Sequence, residues 1–477
     1  MMLKPVRLHP WRVVEGARWR GRVFFLSLMF GMLWIRGLHA QDVPLPEAPN
    51  SADPTTVFAH PLSGKLWISG QMNVINQGHG SFPAAYTGPQ SLRPYAEDDT
   101  TNVLTLYTGY ELSSTSDVLM DVESASGNGI SNALGLAGFT DLDAVRNPQL
   151  SATPYLARLM ITKVFALGGG DVANDRGPYS LATSLPSRRI VMRVGKFSLV
   201  DFFDLNEVGS DSHLQFMNWT IDNNGAYDYA ANTRGYTWGT VVEYDEPRWA
   251  LRFAEAMMPK VANGENLDAD LFRAHSENAE LELRRSVIPR RHGALRLLSY
   301  VNTADMGDYR QAIDEFLAGQ TRTPDIIATR QQGRIKYGFG VNAEQDLTDL
   351  VRVFGRWGWN NGTTESFCYT EVDHTVDFGG DLRGDPWHRK FDRLGAAYVV
   401  NGITGDHRRY LQLGGLGFLL GDGNLTYGQE QIFETYYTAH LWRGFFVSPD
   451  FQHVVNPGYN RVRGPLWVEA LRLHVDF

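Results

Sequence analysis

Six charged side chains recur on the polar face of short alternating segments: Arg193, Arg252, Arg352, Arg356, Glu280 and Glu282. A guanidinium presents five N–H donors in a fixed planar fork and stays charged, so it suits the paired oxygens of a diol. Glu371, Glu430 and Glu434 could supply acceptors. A further stretch, 199–233, is dense in amides, acids and aromatics: Asn218, Trp219, Asp222, Asn223, Asn224, Tyr227 and Tyr229. Forks beside ring faces combine hydrogen bonding with apolar contact. Each arginine has a second reading, as a structural partner to a neighbouring acid. Trp219 likewise has one, as a packing residue.

Covalent and metal chemistry find less support. Asp141 with Asp143, and Asp201 with Asp204, are the carboxylate pairs glycoside hydrolysis would need. An acid-rich chain holds such pairs by chance, and nothing in the sequence fixes their separation. Gly414-Gly415-Leu416-Gly417 lacks the Lys-Ser/Thr that follows in a phosphate loop, and Arg383-Gly384-Asp385 reads as coincidence. His213, His374, His388 and His407 lack metal-site spacing. Cys368 is the single cysteine, so an intrachain disulfide is excluded, and it reads as a strand residue of apolar size. No catalytic residue, metal or cofactor is expected; the chain reads as a non-enzyme.

The elements that must position these residues are strands. The chain has 477 residues, 43% of them hydrophobic, with 48 Gly, 25 Phe, 20 Tyr and 12 Trp. That is too apolar for disorder. After residue 40 no run approaches the roughly 18 apolar residues of a membrane-spanning helix. A mean hydropathy of −0.27 does not exclude a membrane protein that hides its apolar residues at every second position. Residues 1–22 hold Lys4, Arg7, Arg12, Arg18, Arg20 and Arg22 against Glu15, followed by the apolar run Val23–Ile35 and a small residue at Ala40. This is the layout of an export signal over 1–40, with a cut after Ala40. Without those residues the net charge becomes −15, which argues against a nucleic-acid partner. Residues 41–63 read as a flexible lead-in and 64–477 as one barrel domain.

Period-two alternation dominates from there. Ile335, Tyr337, Phe339, Val341 and Ala343 oppose Arg334, Lys336, Asn342 and Glu344; Val351, Val353, Trp357 and Trp359 oppose Arg352 and Arg356. Ala279, Leu281 and Leu283 oppose Glu280 and Glu282, and Leu104, Leu106, Tyr110 and Leu112 oppose Thr105, Tyr107 and Glu111. About 16 such strands, with 18 as the upper bound, run from 64–75 to 465–477. Long gaps (76–100, 125–153, 199–233, 258–276, 303–332, 401–426) alternate with tight ones. The expected fold is therefore all-β: a transmembrane antiparallel β-barrel with long extracellular loops and short turns on the other rim. Two connections break the rule. The gap 168–186 is long where a turn is due, and Asn361–Thr363 is short where a loop is due, because 364–378 reads as a strand. Asp308–Leu317 reads as a short helix, and 409–420 as a helix or a strand pair.

The last segment alternates to its final residue, with Trp467, Leu471, Leu473, Val475 and Phe477 on one face and Arg472, His474 and Asp476 on the other. In lipid an open sheet edge leaves unpaired backbone groups, so this strand is expected to close onto the first. Glu469 falls on the lipid face, tolerable only near an interface. Trp249, Trp357, Trp359 and Trp467 are expected in interfacial girdles.

Several motifs resemble carbohydrate-selective porins of the OprB type. They are Gly195-Lys196-Phe197 with Asp201-Phe202-Phe203-Asp204, Gln215–Trp219, Ala226–Ala230, Thr233-Arg234-Gly235-Tyr236-Thr237-Trp238-Gly239, Tyr427–Glu430, Glu434–Tyr437 and Asp450-Phe451-Gln452. The resemblance spans roughly 60–477. It implies a passive bacterial outer-membrane channel for sugars, with a lumen constricted by Arg, Glu and aromatic residues, Arg234 among them. The 199–233 segment is the candidate for a loop folded into the pore. Sugars, outer-membrane lipids and lipopolysaccharide would be its partners, as a monomer or homotrimer. The segment Asp121–Pro148 resembles a branch assigned to other solutes, including divalent manganese, so a channel for such an ion is an alternative. An exported soluble β-rich carbohydrate-binding protein is another.

Overall fold

The structure is a computed structural model that describes residues 55–60, 63–147 and 150–477. The expected export signal and most of the lead-in lie outside the described residues. Sixteen antiparallel strands close into one barrel. In chain order they are β1 (Leu66–His79), β2 (Glu97–Ser113), β3 (Ser116–Ser126), β4 (Tyr155–Ala173), β5 (Ser184–Phe197), β6 (Thr237–Glu246), β7 (Trp249–Met257) and β8 (His275–Arg284). There follow β9 (Gly293–Met306), β10 (Gln331–Asp346), β11 (Val351–Asn360), β12 (His374–Gly384), β13 (Arg389–Gly402), β14 (Glu430–Trp442), β15 (Phe445–Val455) and β16 (Leu466–Asp476). Every consecutive pair is hydrogen-bonded, and β16 returns to β1 from Gln71↔Asp476 to His79↔Val468. Phe477 completes the closure, its N–H donating to the Gly70 carbonyl at 2.8 Å. Closure leaves no edge, which is what a sheet in hydrocarbon requires.

The alternation sorts as expected. Leu66, Ile68, Met72, Leu104, Leu106, Val376, Phe378, Trp467, Leu471 and Leu473 are exposed on the outer face, whereas Gln71, Asn73, Lys336, Asn342, Arg356 and Arg472 are buried inside. An outer surface this apolar is stable only against lipid, which removes the reading as a soluble binding protein. Trp249, Trp357 and Trp467 are exposed on that face. Glu469 is exposed in the first turns of β16 beside the long-loop rim, opposite Gly78.

The two irregular connections resolve, and both corrections concern strand ends. β4 runs on to Ala173, so the connection read as 168–186 is only 174–183. β12 begins at His374, so 361–373 is a full loop rather than a three-residue turn. The cause is visible at its centre: Phe367, Cys368 and Tyr369 donate their backbone N–H groups to the Asp228 carboxylate instead of to a neighbouring strand. Cys368 is therefore a buried loop residue, not a strand residue. With these changes the alternation of rims is regular. One rim carries 80–96, 127–154, 198–236, 258–274, 307–330, 361–373, 403–429 and 456–465; the other carries 114–115, 174–183, 247–248, 285–292, 347–350, 385–388 and 443–444. Among the described residues three short α-helices lie in the long loops: α1 (Trp219–Asp222), α2 (Tyr309–Leu317) and α3 (Gly405–Gln412). Asp308 caps α2, accepting from the Gln311 N–H. The helix reading of 409–420 holds for its first residues.

Candidate functional site

Four of the long loops, 127–154, 198–236, 361–373 and 403–429, send side chains into the barrel. Ile130, Leu136, Phe139, Phe203, Phe216, Ile221, Tyr227, Phe367, Leu419 and Leu420 form one buried apolar cluster inside it. Backbone brought into such an interior must find hydrogen-bond partners. Carboxylates on the inner wall supply them. Glu434 accepts from the N–H groups of Met217 (2.6 Å) and Asn218 (3.2 Å), and Glu430 from those of Gly138 (2.7 Å), Ala137 (3.1 Å) and Gly458 (2.7 Å). Glu280 accepts from Asp204 at 2.7 Å and Glu344 from Glu207 at 2.6 Å. Glu371, within loop 361–373, does the same for Leu419 and Leu420. Each bond satisfies an N–H that would otherwise lie unpaired in the interior, at a cost of about 1–3 kcal/mol. Together these bonds fasten the loops to the wall.

Arg356 is the cationic counterpart. Its guanidinium lies 3.0 Å from Asp204 and 3.7 Å from Asp377, and donates to the carbonyls of Ile221 and Asp222 and to the Ser210 hydroxyl. Asp228, besides its three N–H partners, pairs with the fully buried Lys336 at 3.1 Å. Asn218 caps α1 and reaches Gly138 and Gln452.

A cavity of about 760 Å³ stays open along the β1–β7 side. Five arginines line it: Arg146, Arg158, Arg193, Arg234 and Arg252. Arg158 grips Asp201 with two bonds (2.7 and 2.6 Å) and reaches Asp121 at 3.1 Å. Its guanidinium also stands 5.2 Å from the Tyr179 ring and 5.3 Å from that of Tyr236. Arg193 faces Glu243 at 3.3 Å and lies over Phe202 at 4.9 Å. Arg252 bridges Glu243, Glu280 and Glu282. Arg234 lies 3.9 Å over Tyr155. Trp219 stacks on Tyr369, both bordering the cavity, and its indole N–H is held by the Asp141 carbonyl. Asp222 also borders it, and burial holds its carboxyl well above the usual range.

Of the residues singled out from sequence, Arg193, Trp219, Asp222, Arg234 and Arg252 thus meet around one cavity. Asn218, Glu280, Glu430, Glu434 and Arg356 sit in wall-to-loop contacts, and Glu371 in a contact between loops. Glu282 joins Arg252, Arg284 and Arg296 along the wall. Arg352 makes a paired contact with Asp381. The carboxylate pairs are occupied as well. Asp141 and Asp143 receive bonds from Thr101 and Asn73, Asp201 holds Arg158, and Asp204 holds Arg356. Sequence reasoning missed Arg158, Glu123, Tyr155 and Tyr179. Arg158 and Glu123 lie in segments that already read as strands, so inward alternation was the available signal; for Tyr179 there was none. Among the described residues no group of three or more His, Cys, Asp or Glu is arranged to hold a metal ion.

His407 of α3 lies among the loops. It stacks on Tyr309 at 4.3 Å, its Nδ1 is 3.1 Å from Asp373, and its Nε2 faces the Tyr309 hydroxyl at 3.1 Å and Glu371 at 3.7 Å. Although burial opposes its charged form, the facing Asp373 and Glu371 raise its pKa to about 9. Asp373 is lowered to about 2, against its own burial, by His407 with help from Lys336. A raised histidine stabilises the fold fully below its free value near 6.5 and loses that contribution as pH climbs through about 9. A depressed Asp stabilises above about 4 and fades as pH falls towards 2. Hydrogen exchange of α3 amides, corrected for intrinsic rates, should be slowest between about pH 4 and 6.5 and accelerate at least about tenfold by pH 9 to 10. A flat profile would show that the pair does not hold α3.

Comparison with known proteins bears on the same architecture. Residues 90–477 match the sequence profile described as carbohydrate-selective porin, OprB family. The chain belongs to that family. The high-pH structure of OprB from Pseudomonas putida superposes on this OprB-family porin with a TM-score of 0.65 at 15% identity, covering 87% of this chain and 94% of that one. The outer-membrane channel DcaP of Acinetobacter baumannii gives 0.47 at 10% identity, covering 86% and 97%. No curated protein sequence matches. Family and barrel are those of outer-membrane channel proteins, not of enzymes.

Proposed function

We propose that this OprB-family porin, exported through the signal at 1–40, passes neutral sugars passively across the outer membrane. Selectivity would reside in the cavity lined by Arg158, Arg193, Arg234 and Arg252. The observation that carries this reading is the meeting of these four forks with the rings of Tyr155, Phe202, Trp219 and Tyr236 around one open space. Sugars present paired hydroxyls and apolar ring faces, and this lining offers partners for both. Fixed guanidiniums beside fixed carboxylates replace part of a solute's hydration without a net pull on either ion sign.

The test is reconstitution in planar bilayers. Glucose should reduce the ion current in a concentration-dependent way, and Arg193→Ala with Arg252→Ala should weaken that block about tenfold, the effect of losing one or two charged hydrogen bonds. If glucose and oligosaccharides never alter the current while Mn²⁺ does, the sugar reading fails and the divalent-ion alternative stands.

A further inference from the structure

The connection between β4 and β5 lies on the rim of short turns, yet it does not behave as one. Beyond Lys163, the last β4 residue paired with β3, the strand continues to Ala173 with only β5 as its partner. The pairing shifts register between Ala166 and Gly168 and again between Gly168 and Asp171. Gly168 and Gly169 there take φ of +102° and +81°, which side chains rarely adopt. Such irregularities bend a ribbon. Here the bend brings the tip, 174–183, back inside the barrel.

Three contacts seat it. Leu181 is fully buried, in space left because position 109 is glycine; a Cβ there would come within 3.0 Å of the leucine. The Leu181 N–H donates to Asp117 at 3.1 Å. Arg176 reaches Glu111 at 3.1 Å and the Gly64 carbonyl at 2.5 Å. Gly177-Pro178-Tyr179-Ser180 is a turn closed by the Ser180 N–H on the Gly177 carbonyl, with proline presetting its second position. The turn presents Tyr179 to the cavity. There the Tyr179 hydroxyl accepts from Arg158 at 3.3 Å and lies 3.4 Å from Asp201, in the first turn of loop 198–236. Loops from opposite rims therefore meet at one arginine.

We propose that the 174–183 tip is a second constriction entering from the short-turn rim, with Tyr179 a specificity-determining residue of the channel. In outer-membrane barrels that rim faces the periplasm, so a solute would pass loop 198–236 first and Tyr179 on its way out. The ring narrows the path beside the guanidinium, and its hydroxyl occupies part of the Arg158 fork that a solute would otherwise use.

This rests on the channel reading, and the experiment separates the two. Bilayer conductance and liposome swelling would be measured for wild type, Tyr179→Ala, Tyr179→Phe and Gly109→Val, each checked for heat-modifiable gel mobility. Gly109→Val unseats Leu181 without touching the cavity lining. Tyr179→Ala and Gly109→Val should each raise single-channel conductance about 1.5- to 2-fold and speed swelling in a trisaccharide more than in glucose, as widening a constriction does. Tyr179→Phe keeps the width and should change glucose block but not conductance. As a check independent of tip stability, Tyr179→Cys in a Cys368→Ser background should let a charged thiol reagent added on the short-turn side reduce the current. A conducting wild type whose folded variants match it in conductance, trisaccharide swelling and thiol response overturns the constriction alone. A wild type that carries no current overturns the channel reading and this one with it.

Discussion

Arg356→Met is expected to cost about 3–5 kcal/mol, the range for removing one partner from a buried ion pair, and to free loop 198–236 from the wall. The side chain of Arg356 has no exposed surface, and its guanidinium is shared between strand and loop: Asp377 on β12, Asp204, Ser210 and two carbonyls on the loop. Methionine keeps most of the stem's volume and removes every donor. Two carboxylates then lose their cation, and the α1 carbonyls lose a charged donor. Arg193→Met removes an equally charged group, but one that borders the open cavity, where water takes over the lost bonds; about 1 kcal/mol is expected there. The contrast is measurable as the temperature at which the folded gel band disappears. Hydrogen exchange should rise at 204–224 in Arg356→Met while β11 amides stay protected. If the two variants behave alike, Arg356 is not a fastener of the loop.

Why was so much of the barrel legible and so little of its interior? In β10 every second residue must face lipid, so Ile335, Tyr337 and Phe339 against Lys336 and Asn342 encode the strand and its inner face together. The closing pair β16–β1 followed because lipid forbids a free edge. Interior loops obey no such period. Ser366-Phe367-Cys368-Tyr369 alternates well enough to pass for a strand start, but its N–H groups go to Asp228, some 140 positions away in the chain. Glu430 and Glu434 were legible as inward acids. That their oxygens would be taken by the backbone of 137–138 and 217–218 was not, since nothing local distinguishes a carboxylate awaiting a solute from one awaiting a loop. Arg158 was readable from β4 alternation. Tyr179 was hidden because the bend that delivers it depends on where β3 stops pairing, a property of two strands at once.

Asp228 gives the sharpest test of how the interior is held, because one carboxylate serves two different clients. Its oxygens accept from Phe367 (2.9 Å), Cys368 (2.7 Å) and Tyr369 (3.1 Å), and oppose the Lys336 ammonium, which has no exposed surface. Asp228→Ala leaves the three N–H groups without their acceptor and the Lys336 ammonium with only the Ser366 hydroxyl at 3.4 Å, and a loss of about 3–5 kcal/mol is expected, with loop 361–373 released. Cys368 reports on that release directly, being buried in the folded protein and the only thiol in the chain. It should react with a thiol reagent far faster in the variant. Adding Lys336→Met apportions the effect. If the stranded ammonium dominates, the double variant recovers most of the lost stability, since a buried charge without its partner costs more than a well-packed apolar group. If the three N–H groups dominate, the double variant is no more stable than Asp228→Ala. At about 1–3 kcal/mol for each unsatisfied buried donor, some relieved by rotation of the freed loop, the ammonium should weigh more than any one N–H. Partial recovery of stability is therefore expected, with Cys368 remaining reactive because no acceptor has been restored to the loop. A double variant as stable as wild type with an unreactive Cys368 would mean that the loop is held by its apolar contacts and that Asp228 serves Lys336 alone.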